Sequence, residues 1–209
     1  FFKDRGMVLS SGYLCLLEHL GADEKGGISE PALFEFLYMR RLFGLKTYHG
    51  KVKCLPSASV VTVDCSGKIL KTKKFWRHKV LGSGDKAGEG SSLATGLIDA
   101  SRMYLRGDVK RYGLMLSGGL DSRALLSLGG ARYKSFTTAR KKNNEVEIAQ
   151  KLSNIFNVQH EFLVRDPDYM VQNFDLSVLA SNAMTLFYEC QFLGQAQTIA
   201  AQVDIVHMG

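Results

Sequence analysis

The chain has 209 residues, of which 45% are hydrophobic and 22% charged, ordinary proportions for one folded domain or one and a fraction. No apolar run approaches the roughly 20 residues of a membrane helix, and no secretory signal stands at the start. The net charge of +7 suits an anionic ligand, whether nucleotide or nucleic acid.

Residues 8–20 read as a short strand and then a short helix. A Gly-rich stretch covers 21–27. Ser29-Glu30-Pro31-Ala32 opens a helix with Pro just inside it; Leu33, Phe36 and Leu37 lie on that helix, which is expected to end near Gly44. Val60-Val61-Thr62-Val63 and residues 69–75 are β-branched or aromatic runs around the turn Asp64-Cys65-Ser66-Gly67-Lys68, a hairpin pattern. Lys68, Lys71, Lys73, Lys74, Arg77 and Lys79 crowd this second strand, with Phe75 and Trp76 among them. The run suits an RNA-binding patch, and equally the solvated face of an exposed β-ribbon, the blander and preferred reading. Residues 82–92 have the Gly/Ser composition of a linker. The domain boundary is expected there, with one segment over 1–81 and another over 93–209.

Past the linker the periodicity changes. Leu93, Leu97, Ile98, Met103 and Leu105 suit one helix. A strand at 112–116, a helix near 122–129, a strand at 133–138, a helix at 146–156 and a strand at 161–164 follow. A helical region over 168–202 and a last strand at 203–208 complete the series. Strands alternating with helices predict an α/β fold, a parallel sheet with helices on both faces.

The chemistry is concentrated where the first of these strands meets its helix, at Ser117-Gly118-Gly119-Leu120-Asp121-Ser122. Two glycines without Cβ let backbone amides approach an anion. The helix that opens here has unpaired amides and a dipole favouring negative charge. The hydroxyls of Ser117 and Ser122 are potential phosphate donors. Asp121 would repel phosphate unless a Mg²⁺ lay between them, which makes it the candidate metal ligand; the blander account is a carboxylate favoured in a first helical turn. No Lys follows Gly119, so this is not a Walker A loop, and it is not G-x-G-x-x-G. Arg140, Lys141 and Lys142 follow the next strand, where loops line the ligand crevice of such sheets. The histidines show no metal spacing; His207, near the site, reads as packed. Glu145 and Glu147 sit in a first helical turn. Cys15, Cys54, Cys65 and Cys190 form no C-x-x-C pair and read as reduced thiols of a cytoplasmic protein.

The string Ser117–Ser122 after a buried strand resembles the pyrophosphatase loop, or PP-loop, of N-type ATP pyrophosphatases. Further segments narrow the resemblance to the asparagine synthetase family. Residues 8–17 resemble the end of its glutaminase domain. Tyr48-His49-Gly50-Lys51-Val52-Lys53-Cys54-Leu55-Pro56-Ser57 resembles its "gI-x-x-L-P-G" segment. Residues 69–76 resemble its strand ending in Tyr-Trp, Ser135-Phe136-Thr137-Thr138 the strand after the loop helix, and Gln159-His160-Glu161 its "H-H-E". The resemblance runs from about residue 8 to residue 209.

The resemblance implies an adenine nucleotide alpha hydrolase-like fold, preceded by the C-terminal remainder of a glutaminase-like (Ntn) domain. It implies that Leu116, Ser117, Gly118, Gly119, Leu120, Asp121 and Ser122 contact ATP, with Asp121 on Mg²⁺. Thr138 would meet the adenine through its backbone, and Gly209 would begin the family's second ATP motif. The implied activity is ATP-dependent amide formation: a carboxylate, aspartate first, becomes an acyl-adenylate, pyrophosphate leaves, and ammonia drawn from glutamine attacks. The partners are then small molecules, with a homodimer as the assembly to test; neither a membrane nor a nucleic acid is expected. The chain opens on Phe1 and closes on Gly209 after a strand-like run, so further sequence is expected on both sides. The family's N-terminal cysteine nucleophile has no counterpart in these residues. Arg123 stands where asparagine synthetases carry Ser or Thr, a substitution shared with β-lactam synthetases and peptide cyclases of the same superfamily. Such a diverged cyclase is one alternative; the others are an RNA-modifying PP-loop enzyme and a nucleotide-binding remnant without activity. Against the RNA-modifying reading, 116 residues precede Ser117, whereas those enzymes place the loop near the chain start.

Overall fold

The computed structural model describes residues 2–3, 6–20, 27–77, 86–105, 111–187 and 191–208. By its contacts the chain forms two units: Phe1–Val80 with Asn173–Gln191, and Leu81–Gln172 with Phe192–Gly209.

The first unit opens on a two-residue ribbon, β1 (Phe2–Lys3) antiparallel to β2 (Gly6–Met7). The strand expected at the start of residues 8–20 does not form there, since the second strand of the ribbon is Gly6–Met7, while the helix α1 (Tyr13–His19) follows as expected. Leu16 and Leu20 of this segment bury against Val52, with Val8, Tyr13 and Leu17 packed around them. Helix α2 (Glu30–Met39) starts as its sequence requires: Ser29 caps it by accepting from the Ala32 amide, with Pro31 in the first turn. It ends five residues before Gly44, because Arg40 takes the left-handed conformation (φ 58°) and turns its amide back onto the Phe36 carbonyl. The hairpin forms as predicted, β3 (Ser59–Val63) against β4 (Ile69–Lys74). Its turn is held by the Asp64 carboxylate, which accepts from the amides of Ser66 and Lys68 at 2.9 Å each. The stretch 21–26 lies outside the described residues.

The second unit begins at Leu81. Residues 82–85 lie outside the described residues, while the rest of the Gly/Ser stretch runs into helix α3 (Lys86–Tyr104). Then β5 (Tyr112–Met115), α4 (Leu120–Gly129), β6 (Tyr133–Ala139), α5 (Asn144–Ile155) and β7 (Gln159–Val164) alternate as the periodicity predicted. The region 168–202 is less regular than one helix. It breaks into α6 (Tyr169–Gln172), α7 (Phe174–Ala180), a 3-10 turn at Leu193–Gln195 and α8 (Ala196–Ala200). Of these, α7 falls in the first unit. The last strand, β8 (Ile205–Met208), begins two residues later than expected, because its ladder starts where β5 starts, at Tyr112↔Ile205.

The sheet order is β7-β6-β5-β8, and every pair is parallel. Side-chain alternation splits its core in two. Leu114 and Leu116 face a cluster with Leu126 of α4 and Ala149 and Leu152 of α5. Met115 and Phe136 face the opposite side, with Leu163, Ile199 of α8 and Val203. Helices thus cover both faces, and β5 is buried along its whole length, as a central parallel strand must be.

Candidate active site

The strand order locates the site. From β5 the chain winds outward through β6 to β7, then returns to lay β8 on the other side of β5. The direction of winding reverses at β5, and ligands of open α/β sheets bind at the carboxyl ends of strands where that reversal occurs. The residues that leave the carboxyl end of β5 are Leu116 and the loop Ser117–Ser122.

Leu116 is core, 1% exposed, and extends the strand: its amide donates to the Phe136 carbonyl at 2.8 Å. Gly118 has φ +76°, the region L side chains avoid. A Cβ there would also stand 2.8 Å from Cγ2 of Ile148, on α5. The glycine is therefore required twice, by its own backbone and by the helix it leans on. Gly119 is the N-cap of α4 and donates its amide to Ser117 Oγ at 3.2 Å. Ser122 is 2% exposed. Its hydroxyl points inward, 3.2 Å from Ser117 Oγ and 3.3 Å from the Gly119 carbonyl that accepts it. Ser122 thus shapes the loop through its side chain and leaves its amide in the helix's first turn.

The N-terminus of α4 differs from those of its neighbours. Ser29 caps α2, and Asn143 caps α5 by accepting from the Val146 amide at 3.1 Å. Gly119 brings no side chain to cap α4. The first amides of α4 therefore have no side-chain cap, the arrangement that receives an anion. Asp121 lies in that first turn, exposed, and makes no ion pair among the described residues. Leu120, 78% exposed, brings only its backbone to the loop. These features fit a polyphosphate held on backbone amides. They fit Mg²⁺ as well, which takes one or two carboxylates and completes its shell with phosphate and water. Among the described residues no cluster of three acidic, His or Cys ligands occurs, so Asp121 would serve with the phosphates rather than in a protein cage.

Thr138 is buried on β6, and its hydroxyl has no hydrogen-bond partner among the described residues. The pairing of β5 with β6 stops at Met115↔Phe136, whereas Thr138 pairs with Leu163 of β7. Its backbone thus extends beyond the ladder with β5, beside the loop. Arg140, Lys141 and Lys142 are exposed just after β6, ahead of the capped start of α5. Glu145 and Glu147 occupy the first turn of α5, where the helix dipole accounts for them. Gly209 lies outside the described residues.

His207 and His160 pack within the sheet. His207 sits level with Leu114, within the sheet. Its Nδ1 is 2.8 Å from the Tyr133 hydroxyl. Burial lowers the pKa of His207 and pushes the Tyr133 hydroxyl up to about 12. His160 stands 3.0 Å through Nδ1 from Ser135 Oγ, which also meets Ser153 Oγ of α5 at 2.8 Å. Burial lowers the His160 pKa against the opposing pull of Glu161. The Gln-His-Glu segment thus ties β7 to β6 and α5.

The sequence alone did not reveal what Arg123 does. Its Nε donates to the Gly119 carbonyl at 3.2 Å, alongside its own main-chain amide at 3.2 Å. The four-residue spacing from Gly119 on a helix was the available signal.

Residues 92–195 match the family model described as asparagine synthase. Over those residues, just under half of its length, the chain is similar to the asparagine synthase family. The asparagine synthase match takes in β5, β6, β7 and the whole loop, with Thr138, and stops before β8. Two solved structures are similar at low identity. One is the glutamine-dependent NAD+ synthetase of Acinetobacter baumannii in complex with ADP, at 19% identity and TM-score 0.35, covering 56% of this chain and 23% of that one. The other is the NH3-dependent NAD synthetase of Campylobacter jejuni in complex with nitrate, at 16% identity and TM-score 0.36, covering 56% of this chain and 54% of that one. The chain thus spans a quarter to a half of their lengths. No curated protein matches the sequence.

Proposed function

We propose that the chain contributes the ATP site of an amide-forming ligase of the asparagine synthetase type. The observation that carries this reading is the loop Ser117–Ser122 itself. It lies at the carboxyl end of the strand where the winding reverses, its helix has no side-chain cap, and it carries one carboxylate that makes no ion pair among the described residues. ATP would supply the adenylyl group that activates a carboxylate, aspartate first among candidates, with pyrophosphate departing before ammonia attacks. The amides of Gly118 and the first turn of α4 would hold the phosphates, with Gly119 shaping the loop beside them, and Leu116 and Leu120 would flank them. Asp121 would hold Mg²⁺ against phosphate oxygens. Thr138 would present its backbone to the adenine, which its freedom from the β5 ladder supports. Residues 1–81 would be the C-terminal part of a glutaminase-like domain with its connecting ribbon, and 93–209 the ATP-binding part.

Isotope exchange between pyrophosphate and ATP, measured on the full chain with aspartate present, tests the reading. Wild type should exchange, and Asp121→Asn should lower the rate by at least tenfold. Exchange that survives the substitution would remove Asp121 from the metal site. Exchange driven by other carboxylates and never by aspartate would overturn the acceptor and keep the ligase.

A further inference from the structure

Arg123 is the one residue next to the loop whose type departs from the asparagine synthetase pattern, and its geometry is specific. The Gly119 carbonyl accepts from three donors: the Arg123 amide at 3.2 Å, Arg123 Nε at 3.2 Å and Ser122 Oγ at 3.3 Å. The bond through Nε folds the side chain back along α4 toward its N-terminus, the direction helical side chains favour. The guanidinium is thereby set at the mouth of the loop while the residue stays exposed.

Only Nε is used. The two terminal nitrogens carry four further N–H groups, and none has a partner among the described residues. Asp121 lies two positions away on the helix and makes no ion pair with it. A guanidinium with both terminal nitrogens free matches two oxygens of one phosphoryl group. Fixing the side chain at Nε in advance reduces the ordering needed when the anion arrives. Arg140, Lys141 and Lys142 are cations at the next loop, but no hydrogen bond fixes any of their side chains among the described residues.

We propose that Arg123 is a pyrophosphate ligand, binding the part of ATP that departs rather than the nucleoside monophosphate that stays. The terminal phosphoryl carries the larger charge and two or three free oxygens, so the guanidinium fork favours it over the singly charged α-phosphate. The proposal rests on the ATP-site reading above and adds a residue for which a Ser or Thr at this position could not substitute, being too short to reach past the loop.

Isothermal titration of the full chain separates the two halves of the nucleotide, with magnesium pyrophosphate in one series and, in the other, the methyl ester of AMP, whose phosphate keeps the single charge it has in ATP. Arg123→Ala should weaken pyrophosphate binding about 10- to 100-fold, as expected for a charge-assisted pair, and change binding of the AMP ester less than twofold. Arg123→Lys, which keeps the charge and loses the fork, should restore only part of the loss. Equal losses for both ligands would make Arg123 an organiser of the loop and overturn the proposal. Unchanged pyrophosphate affinity, or full restoration by Lys, would overturn it too. A wild-type chain that binds neither ligand would overturn the ATP-site reading and this proposal together.

Discussion

Strand β5, Tyr-Gly-Leu-Met, is buried at every position, while β4, Ile-Leu-Lys-Thr-Lys-Lys, is exposed at every position. The difference begins in the side chains and is completed by neighbours. β5 has a parallel strand on each side and a helix-borne cluster on each face. β4 has one partner, β3, and its lysines keep their ammonium groups in water. A site that must hold backbone amides to within a fraction of an ångström belongs at the end of the first kind of strand. A loop supported by a packed core cannot drift, because the core is not continuously deformable.

The largest expected effect breaks the comparison if it fails. Phe136 is fully buried on the strand next to β5, and Phe136→Ala should cost about 3–5 kcal/mol in denaturant unfolding. Lys73→Ala on β4 should change stability by less than about 0.5 kcal/mol. Comparable losses at the two positions would mean that the exposed ribbon supports the fold as much as the sheet does.

Gly118→Ala should be next, at about 2 kcal/mol, from a left-handed backbone and a methyl forced against Ile148. The same variant should lose most of its ATP affinity. Combining it with Ile148→Ala should relieve the steric part and leave the backbone part. A Gly118→Ala chain with wild-type melting temperature and wild-type ATP binding would show that the loop is softer than the strand beneath it.

The smallest effect is pH-dependent. Burial beside Ser135 and Ser153 lowers the His160 pKa below that of an unfolded histidine, against the opposing pull of Glu161. As pH falls through about 6.5 the unfolded chain takes up the proton first. Stability should therefore be full near neutrality and decline below about pH 6.5, and His160→Gln should flatten part of that slope. A wild-type stability curve with no slope between pH 7 and pH 5 would exclude the effect, provided His207, whose pKa is lowered in the same direction by burial, does not change either.

Much of the fold was legible because its signals are local. Ser29 and Pro31 mark a helix start by their own chemistry, and Asn143 caps α5 by the same logic. The alternation of short apolar strands with amphipathic helices between residues 112 and 164 required a parallel sheet. The expectations that needed adjusting depended on contacts at a distance or on one residue's backbone. The end of α2 was decided by Arg40 adopting positive φ, which no propensity marks. The start of β8 was decided by its partner, since the ladder opens at Tyr112↔Ile205, where β5 begins. The fragmentation of 168–202 reflects where each short piece packs, and one piece packs with the other unit.

The hexapeptide Ser117–Ser122 by itself determined the phosphate-binding chemistry: two residues without Cβ, a helix start and a carboxylate are properties of the chain that any fold would inherit. Tertiary structure decided the rest. Sheet order put the loop at the point of reversal, because β8 pairs with β5 rather than with β7. Packing of α5 made Gly118 irreplaceable by bringing Ile148 to 2.8 Å from where its Cβ would be. The Ser122 hydroxyl was turned inward, and Arg123 was drawn back onto the Gly119 carbonyl. Sequence spacing along one helix allows such a bond, but only the folded loop supplies a carbonyl pointing the right way to accept it.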